Sequence, residues 1–508
     1  MTEPPAEPMF TPSWPSGLPV GAGWVEDLPT AEVRFPYAGS LVASAPVGDA
    51  GLAARALEEA LAVRGVVGRL ASHARRSALQ ASHAQVLAHR EEFERLLVLE
   101  TGKPLVDCRV EVDRTLLTLA ISAEEVARLH GETVPLDLLP SGEGLLGFWV
   151  RKPIGVVVGI AGFNYPMLLA AHKIAPALAA GCPIIVKPAP QTPLATLWLV
   201  HLVREALVAA GGPAAAVQLV TGGPDVGVAL TTDRRIGAVS FTGSAAVGHR
   251  IARDAAPTKV LLELGSNAAL VVAADADLDA AADAVVRGGY YASGQACISV
   301  QRVLVVEAVL DELLTRLAAR MGDVVTGDPL DEATRVSALI DDASSSRVRG
   351  WVEEALGSGA RVVHGGTFET GVITPTVLLD VPDGQDAWDE EIFGPVVAVR
   401  SVATIEEAFD QVNASRYGLH ASVFTSSLET AFAAIDRIET GGVVVNEVPG
   451  FRSDVMPYGG VKDSGAGREG PRFAIEELTV TRMAVIRPTT RTAGGPATAA
   501  SPEEATPR

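Results

Sequence analysis

Between Ile154 and Leu264 the chain alternates two kinds of segment. Short, almost wholly apolar runs at Ile154–Ile160, Pro183–Val186, Val217–Val220, Ala238–Phe241 and Val260–Leu264 are separated by longer Ala-, Leu- and Val-bearing stretches at Met167–Ala180, Leu194–Ala210 and Val247–Asp254. A strand with one wet face would alternate apolar and polar residues. A strand covered by helices on both faces has no reason to, and reads as a continuous apolar run. Helix-length stretches between such runs supply the crossovers that parallel strands require. The pattern therefore predicts a doubly covered parallel sheet.

A second alternating block runs from about residue 267 to residue 455, with strand-like runs at Leu270–Val272, Arg302–Val306, Val396–Val399 and Gly442–Val445. It predicts a second α/β unit. Two segments differ. Residues 132–151 read as a hairpin, and Thr479–Ile486 as one long strand after that unit ends. A strand far from its own sheet leaves an exposed edge; pairing with another subunit would cover it, so a homo-oligomer, a dimer or tetramer, is expected. Residues 1–19 carry six prolines and residues 488–508 are rich in Pro, Thr, Ala and Gly, so both ends read as disordered tails.

Composition narrows the class. A chain of 508 residues exceeds the roughly 250–300 at which one core stops growing, so two or three units are expected. A net charge of −20 disfavours nucleic acid as a partner. No apolar run reaches the ~18 residues of a membrane helix, and Met1-Thr2-Glu3-Pro4-Pro5 does not read as a signal peptide. The three cysteines, Cys108, Cys182 and Cys297, form no CxxC and no Cys/His cluster. That speaks against a metal site and for a reducing, cytoplasmic setting.

Candidate chemistry centres on Cys297, in Gly294-Gln295-Ala296-Cys297, and Glu263, in Leu262-Glu263-Leu264-Gly265. A thiol in a glycine-flanked turn can attack, and a carboxylate at a strand end can move protons or activate water. Taken singly, each has an ordinary reading: a buried small hydrophobe and a solvated strand end.

Several motifs stand in one order along the chain: Gly162-Phe163-Asn164-Tyr165-Pro166; Lys187-Pro188-Ala189-Pro190; Phe241-Thr242-Gly243-Ser244 with Gly248 beyond; Glu263-Leu264-Gly265; Gly294-Gln295-x-Cys297; Glu391-Ile392-Phe393-Gly394-Pro395; and Pro457-Tyr458-Gly459-Gly460-x-Lys462-x-Ser464-Gly465. Together they resemble the NAD(P)-dependent aldehyde dehydrogenase superfamily. The resemblance implies an α/β fold with a Rossmann-type cofactor domain (20–128 and 152–263), an α/β catalytic domain (264–474) and a small β oligomerisation extension (129–151 and 475–487). It implies NAD or NADP as cofactor and a small-molecule aldehyde as substrate, oxidised to a carboxylate through a Cys297 thiohemiacetal and thioester.

Residue roles follow from the same resemblance. Cys297 is the nucleophile, the Asn164 amide and the Cys297 backbone N–H bind the oxyanion, Glu263 activates water, and Lys173 supports the site. Gly243, Ser244 and Gly248 approach the diphosphate at a helix start, Lys187 bonds the adenosine ribose, Gly223 allows close backbone approach, and Glu391 with Phe393 holds the nicotinamide ribose. Outside this resemblance Asn164 reads as a turn residue, Lys187 and Lys173 as surface lysines, and Glu391 as part of a solvated acidic loop. Phe163, Arg114 and Arg452 are candidate substrate contacts, the arginines for an anionic end such as that of phosphonoacetaldehyde or glyceraldehyde-3-phosphate; simple salt bridges to Asp454 or Glu111 are the plainer reading.

Three positions depart from the family pattern. Pro190 stands where many NAD-preferring members carry a Glu that grips the 2′-hydroxyl, which leaves NAD versus NADP open. Ser266 replaces a glycine, and Phe163 replaces the common Trp. A CoA-acylating variant and a non-catalytic protein of the same fold are the alternatives; Glu263 argues against the first, and the presence of Cys297, Asn164 and Glu263 against the second.

Overall fold

The structure, a computed structural model, describes residues 8–369 and 371–488. Five parallel strands, β1 (Val156–Ile160), β2 (Ile184–Lys187), β3 (Val217–Leu219), β4 (Ile236–Thr242) and β5 (Lys259–Glu263), form the first sheet in the order β5-β4-β1-β2-β3. The short strand Gly465–Ala466 adds antiparallel beside β5, opposite Glu263 and Leu262. The chain thus returns to the first sheet from within residues 264–474, so that stretch does not belong wholly to the second unit. The apolar runs read from the sequence are these strands, and all five residues of β1 are buried.

The second sheet holds β6 (Ala269–Val272), β7 (Arg302–Val306), β8 (Thr376–Leu379), β9 (Val396–Val402), β10 (His420–Phe424) and β11 (Gly442–Val445) in the order β8-β9-β7-β6-β10-β11. These six are parallel, and Arg361–His364 pairs antiparallel on the outer edge of β8. A third, antiparallel sheet joins Glu132–Val134, Leu146–Pro153 and Thr479–Ile486, in register from Thr479 opposite Pro153 to Ile486 opposite Leu146. The late strand therefore finds its first partner within its own chain. Its other edge has no partner among the described residues.

Helices α1 (Leu105–Glu125), α2 (Pro166–Ala180), α3 (Leu194–Ala209), α4 (Pro224–Thr231) and α5 (Ala245–Ala255) surround the first sheet, and α6 (Leu278–Tyr290) packs on the second. The start of α2 explains how Asn164 is held. Pro166 occupies its first position, where no N–H is missed, and Gly181 ends it in the left-handed region at φ 81°. The orphan N–H groups of Met167 and Leu168 donate to buried Glu111 Oε1 at 2.9 and 3.1 Å. Glu111 is in turn paired with buried Lys103, whose ammonium lies 3.6 Å from the centroid of the Tyr165 ring.

The N-terminal region corrects one expectation. Residues 8–19 are not a loose tail: the Met9 and Phe10 N–H groups donate to the Leu41 and Val42 carbonyls, and Trp14 and Leu18 are buried. Phe10, Trp14 and Trp198 form a mutual aromatic contact with centroids 5.8 to 6.0 Å apart. Three large apolar side chains outweigh the polar, proline-rich composition, and proline fits the extended path they need. Residues 1–7 and 489–508 lie outside the described residues.

Candidate active site

Both α/β units contribute to one cavity of about 670 Å³. Phe163, Asn164, Gly243, Ser244, Glu263, Cys297, Glu391, Phe393, Arg114 and Arg452 all line it. These residues come from seven separate stretches of sequence. Lys173, Lys187, Pro190, Gly223 and Gly248 do not line it.

Cys297 follows a turn bent into an uncommon backbone shape. Ala292, Ser293 and Gly294 have φ of 49°, 56° and 73°. Left-handed backbone costs an ordinary L-residue roughly 1–2 kcal/mol, so the turn needs outside support. It has four supports. The Ala292 N–H donates to Asp107 Oδ2 at 2.9 Å, Ser293 Oγ accepts the Ser337 N–H at 2.9 Å, Gln295 Oε1 accepts the Ile340 N–H at 3.0 Å, and Asn164 Nδ2 donates to the Gln295 carbonyl at 2.8 Å. Gly294 is obligatory for a second reason: a Cβ there would stand 2.1 Å from the Gly394 carbonyl oxygen.

Glu263 ends β5, with Oε2 buried and without a hydrogen-bond partner among the described residues. Burial, and then the neighbouring Glu469, push its carboxyl well above the usual range. Glu469 takes the opposite course. Burial opposes its ionisation, but Lys173, His172 and Arg452 outweigh that and hold it well below. Lys173 is itself buried, donating to Thr242 Oγ1 at 2.7 Å and to Glu469 at 3.3 Å. It is a strut between β4 and Glu469, away from the cavity wall, and the surface-lysine reading fails.

Burial pushes the Cys297 thiol up to about 12; a hydrogen bond to Tyr458 works against this, and Glu391 and Glu263 work with it. Cys108 and Cys182 are fully buried.

The two arginines are already engaged. Arg114 makes two bonds to Asp454, at 3.1 and 2.8 Å, and its Nη1 makes none among the described residues. Its side chain is 22% exposed. Arg452 is buried, 3.1 Å from Glu469. Neither arginine pairs with Glu111, which belongs to Lys103.

The groups suited to a dinucleotide lie along the carboxyl ends of the first sheet. Gly223 and Ser244 stand at the N-caps of α4 and α5, and neither cap has a side-chain hydrogen bond, so the first-turn N–H groups there face no capping side chain. Gly248 lets α5 lie against Leu264, whose Cδ2 would be 2.3 Å from an added Cβ. Lys187, at the end of β2, is nearly buried and forms no ion pair among the described residues; burial lowers its pKa. Pro190 is exposed just beyond. Glu391 Oε1 accepts the Ser266 N–H at 2.9 Å, and burial raises its carboxyl to about 7. Phe393 meets Phe163 edge-on at 5.7 Å. A buried cation without an ion-pair partner among the described residues, two helix starts without side-chain caps and the Glu391 carboxylate fit an anionic dinucleotide. Among the described residues no cluster of His, Cys, Asp and Glu could hold a metal ion.

Sequence reasoning missed Tyr458, His172, Asp454 and Glu469 as parts of the site. Tyr458 lay inside a motif already noted. Glu469 had only a weak signal, one acid in Gly467-Arg468-Glu469-Gly470, because its partners come from distant stretches.

Comparison with known proteins agrees with this geometry. The pattern of the Aldehyde dehydrogenase family matches residues 24–484. A 3-sulfolactaldehyde dehydrogenase of Priestia aryabhattai is 42% identical over 402 residues, 79% of this chain and 83% of that protein. The crystal structure of aldehyde dehydrogenase 21 from Physcomitrella patens, in complex with the reaction product succinate, superposes with a TM-score of 0.89 at 34% identity, covering 93% of this chain and 98% of that one. Glyceraldehyde-3-phosphate dehydrogenase GapN from Methanocaldococcus jannaschii, complexed with NADP, superposes with a TM-score of 0.87 at 33% identity, covering 91% and 100%. The chain belongs to the aldehyde dehydrogenase family, enzymes that oxidise an aldehyde to a carboxylic acid with NAD or NADP.

Proposed function

We propose that Cys297 is the nucleophile, that the Asn164 amide and the Cys297 backbone N–H steady the oxyanion, and that Glu263 activates the water that releases the acid. The cavity that Cys297, Glu263 and Asn164 line together is the observation that carries this reading. The Cys297 thiolate adds to the aldehyde carbon and the carbonyl oxygen becomes an oxyanion. Asn164 spends one amide hydrogen on Gln295 and keeps the other for that oxygen. Gly223, Ser244, Lys187, Glu391 and Phe393 hold the dinucleotide, with Gly243 in the cavity wall beside Ser244 and Gly248 letting α5 pack on Leu264. When bound, the nicotinamide supplies the acceptor for the hydride that leaves the former aldehyde carbon. Glu263, as carboxylate, then takes a proton from water that attacks the Cys297 thioester; the C–S bond breaks and the carboxylic acid departs.

The substrate is a small aldehyde with an anionic end. Relatives named for 3-sulfolactaldehyde and glyceraldehyde-3-phosphate, and one solved with succinate, support this class. Arg114, partly exposed in the cavity with Nη1 uncommitted, is the cation that would read it. Arg452 is the less favoured contact, being buried and paired. The chain works as a homodimer or homotetramer: Leu428, Phe432 and Ile435 are exposed at helical spacing beside the edge strand β11, and Thr479–Ile486 has a free edge. A cytoplasmic setting is favoured by three free cysteines; no helix among the described residues is long and apolar enough to cross a membrane.

Cys297→Ala tests the nucleophile. Dinucleotide binding stays within twofold and NAD(P)H formation disappears; turnover within about tenfold of the parent, a barrier change of only ~1.4 kcal/mol, would refute it. For the substrate, short aldehydes with and without an anionic end are compared on the parent and on Arg114→Leu. Loss of preference for the anionic set in the variant is expected; an unchanged preference would remove Arg114 from the site.

A further inference from the structure

Tyr458 has no part in the scheme above, yet its hydroxyl lies 3.3 Å from the Cys297 sulfur. That oxygen makes no other hydrogen bond among the described residues. The ring is fixed on several sides. The Arg452 guanidinium stacks on it, 3.7 Å from its centroid, and His420 meets it edge-on at 5.0 Å. Its backbone N–H donates to the Glu469 carbonyl at 3.2 Å, and its carbonyl accepts the Glu469 N–H at 2.6 Å. The residue is buried against the cavity wall.

We propose that the Tyr458 hydroxyl is a hydrogen-bond donor to the Cys297 thiolate and makes the sulfur available for attack. This rests on the reading of Cys297 as nucleophile. Two neutral groups could share the contact either way round, but once the sulfur is an anion only the phenol has a proton to give. A bond to an anion is about twice as strong as a neutral one, so it favours thiolate over thiol. Burial keeps the phenol protonated, its pKa lying well above the ordinary tyrosine value. A cation on the ring face draws electron density from the phenol, which strengthens the donor. The other charged groups acting on the sulfur are mixed in sign: Glu391 and Glu263 disfavour its ionisation, and Arg452 favours it. The Tyr291 phenol also acts in this environment, its own ionisation opposed by Cys297. Tyr458 is the one neutral donor in hydrogen-bond reach of that sulfur among the described residues. It keeps its own proton throughout; the thiol's proton leaves to solvent through the open cavity.

The test is Tyr458→Phe, which keeps the ring, the Arg452 stack and the His420 contact and loses the hydroxyl alone. Iodoacetamide alkylation of the cofactor-free enzyme is followed against pH, with the modified cysteine located by peptide mass spectrometry; Cys108 and Cys182 are buried and react slowly. The midpoint of Cys297 alkylation should rise by about one unit in the variant, roughly a tenfold loss of thiolate at fixed pH, with melting temperature and NAD(P) affinity unchanged. An unshifted midpoint in a variant that melts like the parent overturns the proposal. Should the Phe variant fail to fold, 3-fluorotyrosine placed at 458 gives the second reading: its more acidic phenol is a better donor and should lower the midpoint, and no movement overturns the proposal equally. Alkylation needs no turnover, so this outcome is separate from the Cys297→Ala test. Loss of all turnover in Cys297→Ala with an unshifted Tyr458→Phe midpoint removes Tyr458 and leaves the nucleophile standing.

Discussion

Replacing Glu263 by Gln isolates one chemical step. The change keeps shape and removes the ability to take a proton. Glu263 Oε2 has no hydrogen-bond partner to lose, and the amide ends the unfavourable approach of two carboxyls, Glu263 and Glu469. Folding stability should therefore stay within about 1 kcal/mol of the parent at and below pH 4.5, where the parent's Glu263 is protonated in both the folded and unfolded chain. The catalytic loss should be large. A positioned general base contributes about 10²- to 10⁴-fold, or ~2.7–5.5 kcal/mol of barrier. Stopped-flow absorbance with saturating aldehyde should show one equivalent of NAD(P)H per active site formed quickly, then a steady rate lower by that factor. A uniformly slow trace without a burst would refute the water-activating role, because it would place the loss before the thioester. The pH dependence has a defined sign. The folded parent holds the Glu263 proton above the ordinary value of 4.5, so it loses stability as pH rises through the window from 4.5 to the raised folded value. The Gln variant has no such proton. Melting curves should thus move in the variant's favour as pH increases above 4.5. Parent turnover should climb on the alkaline side, since burial shifts both Glu263 and Cys297 upward and both act deprotonated.

Other substitutions follow from local geometry. Gly294→Ala places a methyl 2.1 Å from the Gly394 carbonyl oxygen at a φ of 73°; a stability loss of about 2–4 kcal/mol by denaturant titration is expected, with turnover lost more than tenfold. Pro190→Glu adds an anion at the exposed turn after β2, so NADP should weaken by at least tenfold relative to NAD in equilibrium binding, and equal effects on both would move the 2′-position elsewhere. Asp454→Asn removes the buried partner of Arg114, and urea titration should report a loss of about 3 kcal/mol or more.

The sequence made the two parallel sheets legible because strands buried on both faces carry few polar residues, and β1 to β5 stand out as almost wholly apolar runs. It also revealed the residues whose type is dictated by chemistry: a thiol, a carboxylate and an amide in motif order. What it hid depends on long-range pairing. The Glu469, Lys173, His172 and Arg452 cluster joins residues from positions 172 to 469, and no local period reports it. Without the family resemblance Lys173 therefore read as a surface lysine, although it is a buried strut. The first turn of the chain was misleading for the opposite reason: six prolines dominate its composition, but Phe10, Trp14 and Leu18 decide its fate. Strand Thr479–Ile486 was legible as an element and not as to its partner, since its hydrogen-bonding edge carries no sequence label.

The central claim is covalent capture of the substrate by one sulfur. Glu263→Gln, mixed with aldehyde and NAD(P) and quenched in acid within the burst, should yield a tryptic peptide spanning Gly288 to Arg302 heavier by the acyl group, with the added mass on Cys297. Full burst amplitude with that peptide unmodified, or the acyl group carried by another residue, would contradict the account.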